Sequence, residues 1–187
     1  MQMARRDGWR SRAVYKLQQI ADKEALLRPG MVCIDLGAAP GGWSQYVVQS
    51  LQEQVRLIAI DLLPMDGLPA VEFIQGDFTE DHVLQALMAK LENAPADLVL
   101  SDLAPNISGN KTVDHPRAMY LAELALDLAK KTLAPRGNFV CKLFQGQGVD
   151  EFVAATRQSF EKVKLVKPKA SRPGSSEVYL VARNYQL

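Results

Sequence analysis

The chain has 187 residues, enough for one domain with a substantial core, and we predict a single domain over residues 1–187. Its 48% hydrophobic and 23% charged residues are ordinary globular values, which excludes a disordered or fibrous chain. No apolar run approaches the roughly 18 residues of a membrane helix, so we predict no membrane association. Cys33 and Cys141 lie within apolar runs, which favours buried free thiols and a reducing, cytoplasmic location.

The small net charge of +1 conceals an uneven distribution of charge along the chain. Residues 1–28 carry +4 (seven basic against three acidic residues), and residues 162–187 carry +5 (six against one). Residues 29–161 carry −8 (nine against seventeen). Basic ends around an acidic middle indicate a polyanionic partner if the fold brings the ends together, and plain solvated charge is the alternative.

The predicted elements alternate between helix and strand. Residues 11–24 place Val14, Leu17 and Ile20 at helical spacing with Ser11 as the N-cap, and we predict a basic N-terminal helix over about residues 1–28 that caps the site. Apolar runs then predict strands, and the segments between them predict helices. The strands are expected at 31–36, 56–62, 71–75, 97–103 and 138–144, and the helices at about 43–52, 79–92, 115–133 and 149–160. Such alternation is typical of a parallel sheet with helices on both faces.

The end of the chain breaks this alternation. Two strand-like runs, 162–168 and 176–183, are joined only by "KASRPGS". A parallel crossover needs about a dozen residues or more, so these two runs are expected to form an antiparallel hairpin. Five parallel strands followed by a hairpin are the layout of class I methyltransferases, not of dinucleotide dehydrogenases.

The stretch "CIDLGAAPGGWSQ" runs from the first strand through a glycine loop into a helix. It resembles a dinucleotide fingerprint, but Ala39 stands where the second glycine of G-x-G-x-x-G belongs. We expect Gly37, Gly41 and Gly42 to allow close backbone approach to a ligand other than a pyrophosphate.

Acidic residues are expected at the carboxyl ends of four strands, where ligands bind in open α/β sheets. They are Asp35, Asp61, Asp77 and Asp102. Asp61 lies at the usual position of a ribose-binding carboxylate, and Asp77 is placed to reach an adenine in the same crevice. Such a crevice disfavours phosphates and favours a cationic nucleoside such as S-adenosylmethionine, although a strand-end aspartate can also be only a helix cap.

The groups available for chemistry favour a hydroxyl as the methyl acceptor. "SDLAPN" after the fourth strand lacks the aromatic residue of amino-group methyltransferases, and neither cysteine follows a proline as in C5-cytosine enzymes. Lys142 interrupts an apolar strand, and a lysine in such a place needs a partner. Glu177 and Asp102 are available carboxylates, while Lys16 on the first helix is also readable as a solvated residue. A ribose 2′-OH must lose its proton as it attacks, and a lysine can accept that proton when its surroundings favour the neutral amine.

Eight motifs in order resemble the FtsJ/RrmJ (RlmE) family, the bacterial ribosomal-RNA uridine 2′-O-methyltransferases. They are "SRAVYKL", "DLGAAPGGWSQ", "DLLPMD", "QGDF", "SDLAPN", "DHPRAMYLAELAL", "FQGQG" and "SSEVYLVA". The resemblance implies a Rossmann-like class I fold with a seven-stranded, mostly parallel sheet and S-adenosylmethionine as the methyl donor. Its catalytic group falls on Lys16, Asp102, Lys142 and Glu177, with the lysine matching Lys142 as the base. Its cofactor contacts fall on Gly41, Trp43, Asp61, Asp77 and Asp102, and no metal is implied.

The resemblance also implies a substrate, a uridine of large-subunit (23S) ribosomal RNA that is often met within the assembled subunit. The basic residues near both ends would contact its phosphates. They are Arg5, Arg6, Arg10, Arg12, Lys167, Lys169 and Arg172. Family members usually carry a longer basic segment before the first helix, so an N-terminal extension stays open. An idle RNA-binding or ribosome-assembly factor, a methyltransferase of tRNA or another RNA, and a nicotinamide-dependent dehydrogenase are the alternatives, and no obligate protein partner is evident.

Overall fold

A computed structural model describes residues 2–187 and is built around a seven-stranded sheet in the order β3-β2-β1-β4-β5-β7-β6. The strands are β1 (Met31–Leu36), β2 (Val55–Asp61), β3 (Val71–Gln75), β4 (Ala96–Ser101), β5 (Leu133–Phe144), β6 (Phe160–Val166) and β7 (Glu177–Tyr185). The helices are α1 (Gln2–Arg6), α2 (Val14–Glu24), α3 (Gly42–Ser50), α4 (Asp81–Leu91), α5 (Lys111–Thr132) and α6 (Val149–Arg157).

Strands β1 to β5 pair in parallel, and β7 lies antiparallel between β5 and β6. The predicted mostly parallel sheet with a C-terminal antiparallel hairpin is therefore confirmed. The short β6–β7 connection forces the antiparallel pairing, because it leaves no room for a crossover helix.

Helices cover both faces of the sheet, as predicted, and each face has its own hydrophobic core. Ile34 and Leu36 of β1 face the core that contains residues of α4, α5 and α6, whereas Cys33 faces the core that contains residues of α2 and α3. This alternation follows from the two-residue period of a strand. Burial on both faces explains why the inner strands read as continuous apolar runs.

The N-terminal segment differs from the prediction in two respects. Residues 1–28 contain two helices instead of one, and Met1, which the predicted helix included, lies outside the described residues. Ser11 is not an N-cap, because α2 begins at Val14 after Ala13, which makes no side-chain capping bond. Arg12 and Ala13 instead form a turn before α2, in which the amide of Tyr15 donates to the carbonyl of Arg12.

The antiparallel pair β5–β7 places polar side chains from two distant parts of the chain next to each other. Lys142 on β5 is the register partner of Tyr179 on β7, and Phe144 is the partner of Glu177. Because β4 and β5 are parallel, their carboxyl ends reach this same edge of the sheet. Within residues 2–187, none of the helices has the length and hydropathy that crossing a bilayer requires.

Candidate active site

Two lysines and two carboxylates meet at the carboxyl edge of the sheet. Lys16 Nζ lies 2.7 Å from Glu177 Oε1, and Lys142 Nζ lies 3.4 Å from Asp102 Oδ1 and 3.6 Å from Glu177 Oε2. The four residues come from α2, the end of β4, β5 and the start of β7. The structure thus brings together all four residues for which the sequence predicted a catalytic role.

Lys142 occupies the position that the sequence made most conspicuous. Its side chain is 12% exposed within the otherwise apolar stretch Phe139–Phe144 of β5, and its ammonium lies 5.9 Å from the centre of the Phe144 ring. A charged amine this deep is stable only when opposite charges surround it. Asp102 and Glu177 supply those charges, so that two cations face two anions in the cluster.

Tyr179 belongs to this cluster, although the sequence analysis did not identify it. Its hydroxyl, which carries one proton, lies 2.9 Å from Asp102 Oδ1 and 3.1 Å from Glu177 Oε1 and can donate to either. Burial and the two carboxylates raise the pKa of Tyr179, so the phenol remains a neutral donor. The alternation of side chains along a strand could have identified Tyr179, because it lies two residues after Glu177 and therefore on the same face of β7.

The two carboxylates have different electrostatic environments. Burial raises the pKa of Asp102, and the charge of Lys142 and the Tyr179 hydrogen bond offset this only in part. For Glu177, burial raises the pKa, but the Lys16 hydrogen bond and the Lys142 charge outweigh it and the net shift is downward. Glu177 is therefore the firmly ionised member of the pair and the anchor for both ammonium groups.

The predicted cofactor residues lie around the glycine loop. Gly41 adopts φ +115°, a left-handed conformation that favours glycine, at the start of α3. Asp61 at the end of β2 accepts hydrogen bonds from the amides of Ala39 and Leu63, both at 2.9 Å. Asp77 accepts from the amide and hydroxyl of Thr79. Each carboxylate retains unused acceptor positions, out of about four per carboxylate, for the hydroxyl or amino groups of a ligand.

Trp43 is a buried packing residue at the start of α3. Its indole nitrogen donates to the carbonyl of Ala13 at 2.8 Å, and its ring centre lies 5.7 Å from that of Tyr179. Only 3% of the Trp43 surface is exposed, so its side chain serves mainly to pack α3 against Ala13 and Tyr179.

Asp35 does not line the crevice with the other strand-end acids, which corrects the expectation from the sequence. It is the penultimate residue of β1, is fully buried, and accepts a hydrogen bond from the hydroxyl of Ser44 at 2.7 Å. Burial raises the pKa of Asp35 to about 7, and the charges of Asp102 and Asp61 add to the shift while Ser44 opposes it. Its side chain therefore supports α3 from beneath.

A groove of about 600 Å³ opens beside the Lys-Asp-Lys-Glu cluster. Lys16, Lys142 and Glu177 line its inner wall. Its outer residues come from both basic ends of the chain and include Arg12, Lys169 and Arg172. The amide of Ala170 also donates to the Gln19 side chain at 3.0 Å, which joins the two ends directly. The charge distribution predicted a polyanion-binding site only if the fold brings the two basic ends together, and the structure shows that it does.

Not all of the basic residues that were predicted to contact RNA face this groove. The guanidinium of Arg10 is hydrogen bonded to three backbone carbonyls of nearby loops. Lys167 donates to the carbonyl of Ser175 in the hairpin connection. Among residues 2–187, no group of three or more His, Cys, Asp or Glu side chains is arranged to hold a metal ion.

The sheet order, the terminal hairpin and the acidic strand ends define a class I methyltransferase fold with a Lys-Asp-Lys-Glu cluster. A family model described as FtsJ-like methyltransferase matches residues 9–185, and the chain belongs to this family. It is similar to Ribosomal RNA large subunit methyltransferase E of Legionella pneumophila (strain Corby), with 56% identity over 98% of this chain and 89% of the relative.

Solved structures agree with this assignment. A crystal structure described as a ribosomal RNA methyltransferase from Plasmodium falciparum superposes with a TM-score of 0.85 and 30% identity, covering 95% of this chain and 98% of that one. Human Methyltransferase-like protein 13, solved in complex with SAH, shares the fold at a TM-score of 0.65 and 16% identity, covering 92% of this chain and 80% of that one.

Proposed function

We propose that the protein transfers a methyl group from S-adenosylmethionine to a ribose 2′-OH of large-subunit ribosomal RNA. The observation that carries this proposal is the partly buried cluster of Lys16, Asp102, Lys142 and Glu177 at the head of a basic groove. The relative that is 56% identical over 98% of the chain is named for this class of RNA. The target nucleotide, a uridine of 23S RNA within the large subunit, and the cytoplasmic location follow from the family resemblance.

The residues around the glycine loop fit the proposed cofactor. Asp61 and Asp77 present carboxylate oxygens suited to ribose hydroxyls and an adenine amino group, and no lysine or arginine side chain is needed there because this donor carries no phosphate. Gly41, the backbone of Trp43 and Asp102 complete the set that would hold it. When bound, S-adenosylmethionine supplies an activated methyl group on a cationic sulfur.

The chain's own residues would activate and place the hydroxyl. Lys142, once its ammonium has released a proton to solvent, would accept the 2′-OH proton as the oxygen takes the methyl group, while Lys16 and Glu177 would hold that oxygen in place. Asp102 fixes the Lys142 amine from the cofactor side, at 3.4 Å. Tyr179 would donate its one proton to either carboxylate and so help to hold both in place. These residues would thus fix the relative positions of the 2′-OH, the methyl group and the Lys142 amine that transfer requires.

The test uses an isotopically labelled methyl donor with purified large subunits and protein-free ribosomal RNA as parallel acceptors. Alkaline hydrolysis follows, because a 2′-O-methyl group blocks cleavage at its own nucleotide. We expect label in alkali-resistant dinucleotides, and the preferred acceptor identifies the substrate state. Label in mononucleotides would mean that a base is methylated and would rule out the proposed chemistry.

Lys142→Ala tests the base directly. We expect transfer to fall by about 10³-fold or more, since general acid–base catalysis contributes about 10²–10⁴-fold and the variant also disrupts the ion cluster. Cofactor binding should stay close to wild type. Lys131→Ala, an exposed lysine at the end of α5, is the matched control and should retain full activity. A fully active Lys142→Ala protein would contradict the mechanism, and RNA binding without transfer by the wild type would favour the idle factor.

A further inference from the structure

Arg10 makes an unusual set of contacts for a residue that the sequence assigned to RNA phosphates. Its Nη1 atom donates to the carbonyls of Pro40, at 3.1 Å, and Asp66, at 2.7 Å, and its Nη2 atom donates to the carbonyl of Gly67 at 2.8 Å. Pro40 belongs to the glycine loop after β1, and Asp66 and Gly67 belong to the loop after β2. One guanidinium therefore joins the two loops that flank Asp61.

The backbone on either side of Arg10 is also fixed to the start of α3. We call residues 8–13 the N-terminal strap. The Gln45 side chain accepts from the amide of Arg10 at 3.0 Å and donates to the carbonyl of Gly8 at 2.9 Å. The Trp43 indole donates to Ala13 at the other end of the strap. The strap is thus held at its beginning, middle and end.

Two glycines of the loop lack the Cβ atom that would otherwise take the space occupied by side chains of the strap. A Cβ atom on Gly41 would lie 3.0 Å from Arg10 Nη1 and 3.1 Å from Met65 Sδ. A Cβ atom on Gly42 would overlap the hydroxyl of Ser11. The sequence attributed these glycines to close approach of a ligand, but in the structure the atoms close to both positions belong to the strap and to the loop after β2.

We infer that Arg10 is a positioning residue that holds the loop after β2 against the glycine loop and thereby preorganises the cofactor site. This inference rests on the proposed function, because the two loops flank Asp61, which we assign to the cofactor. The strap contains Arg12 and leads directly into α2, which carries Lys16, and both residues line the groove proposed to bind RNA. The segment that would contact RNA is consequently fastened to the loops that would hold the cofactor.

The first test is equilibrium binding of S-adenosylmethionine, without RNA, to the full-length protein and its variants. For Arg10→Gln we expect Kd to rise by about tenfold, because apparent affinity falls with the fraction of loops in the binding conformation. Arg10→Lys should not restore binding, since a single ammonium cannot reproduce the forked contacts to both loops. With RNA present, the KM for cofactor should rise and kcat at saturating cofactor should fall less than twofold.

Arg12→Gln is the matched control, because Arg12 lies two residues away and faces the RNA groove. Its KM for RNA should rise while its Kd for cofactor stays within twofold of wild type. If both variants change only the KM for RNA, Arg10 is a phosphate contact and the inference is wrong. A tighter cofactor Kd for Arg10→Gln would show that Arg10 obstructs the site, and this would also overturn it.

A rescue experiment separates the strap from direct cofactor contact and does not depend on substituting Arg10. Gly42→Ala should weaken cofactor binding by displacing Ser11, and adding Ser11→Ala should restore it, because removal of the hydroxyl frees the space. Failure of the double variant to recover would mean that Gly42 serves the ligand itself. A wild-type protein that does not bind S-adenosylmethionine would overturn the proposed function, whereas normal wild-type binding with an unaffected Arg10→Gln would overturn only this inference.

Discussion

Tyr179 places a single buried hydroxyl between the two carboxylates of the Lys-Asp-Lys-Glu cluster. Its ring is fully buried between the strands and Trp43, and its hydroxyl lies between Asp102 and Glu177. A phenylalanine would keep the packing but remove the proton that the phenol offers to these carboxylates. Tyr179 is therefore a positioning residue for the two groups that hold Lys142.

We predict that Tyr179→Phe lowers kcat by about fivefold to tenfold, which corresponds to the roughly 1 kcal/mol that one hydrogen bond contributes. The Kd for cofactor should stay unchanged, and the pH at which activity declines on the acid side should move upward because Asp102 no longer has the hydrogen bond that lowers its pKa. Steady-state kinetics across pH checks both effects. Reduced activity with an unaltered pH profile would indicate a purely structural role.

Titration of Asp35 makes the stability of the folded protein depend on pH. Burial raises the pKa of Asp35 to about 7 in the folded protein, from an ordinary value of 3.8, so the folded state holds a proton that the unfolded state releases above about pH 4. The stability of the protein therefore falls as pH rises from about 4 to about 7, by at most about 4 kcal/mol from this group.

Asp35→Asn should remove this dependence, since the amide oxygen can still accept from Ser44 and the side chain does not ionise. We predict that the stability of Asp35→Asn relative to wild type increases between pH 5 and pH 8. Urea unfolding of both proteins at each pH measures the difference. A difference that does not change with pH would show that Asp35 titrates normally.

At the scale of elements, helix α2 is attached to the terminal hairpin at both of its ends. Lys16 in its first turn contacts Glu177 of β7. At its last residue, the buried carboxylate of Glu24 forms an ion pair with Lys164 of β6 at 2.5 Å, and Arg183 of β7 donates to the Glu24 carbonyl at 2.7 Å. These contacts fix the helix that presents Lys16 to the cluster.

We predict that Glu24→Ala lowers the free energy of unfolding by about 2 kcal/mol, less than for a fully buried pair because Lys164 is half exposed. Glu123→Ala, on the exposed face of α5, is the matched control and should change stability by less than about 0.5 kcal/mol. Chemical denaturation checks both variants. Equal stabilities for the two would show that solvent already screens the Glu24 contacts.

Elements with a clear hydrophobic period were predictable from the sequence, and contacts between distant segments were not. The parallel strands and the terminal hairpin follow from apolar runs and a short connection, and the polar residue Lys142 within such a run marked the site. The inward orientation of Asp35, the position of Tyr179 and the loop contacts of Arg10 depend on groups that lie 9 to 77 residues away in sequence. No local pattern encodes those distances, and Ser11 was misassigned for the same reason.

At the scale of the whole molecule, the fold brings the two basic chain ends together over an acidic body. Arg12 and Lys169 come from opposite ends of the sequence and border the same groove. Lys131 and Arg157 end the helices that lead into β5 and β6, and they therefore lie at the opposite edge of the sheet. Both edges of the sheet therefore carry basic residues, but those that come from the two chain ends border the groove beside the Lys-Asp-Lys-Glu cluster.

We predict that the affinity for RNA falls with salt, because each phosphate that the protein neutralises adds about 0.7–0.9 to the slope of log K against log salt. Arg12→Gln/Lys169→Gln removes two such contacts and should reduce that slope by about 1.4 to 1.8. Lys131→Gln/Arg157→Gln removes the same charge from the opposite edge and should leave the slope nearly unchanged. Binding titrations at several salt concentrations distinguish the two double variants. Equal slopes for the two double variants would mean that the affinity for RNA depends only on the overall charge of the protein. In that case the meeting of the basic ends would not direct the substrate to Lys142.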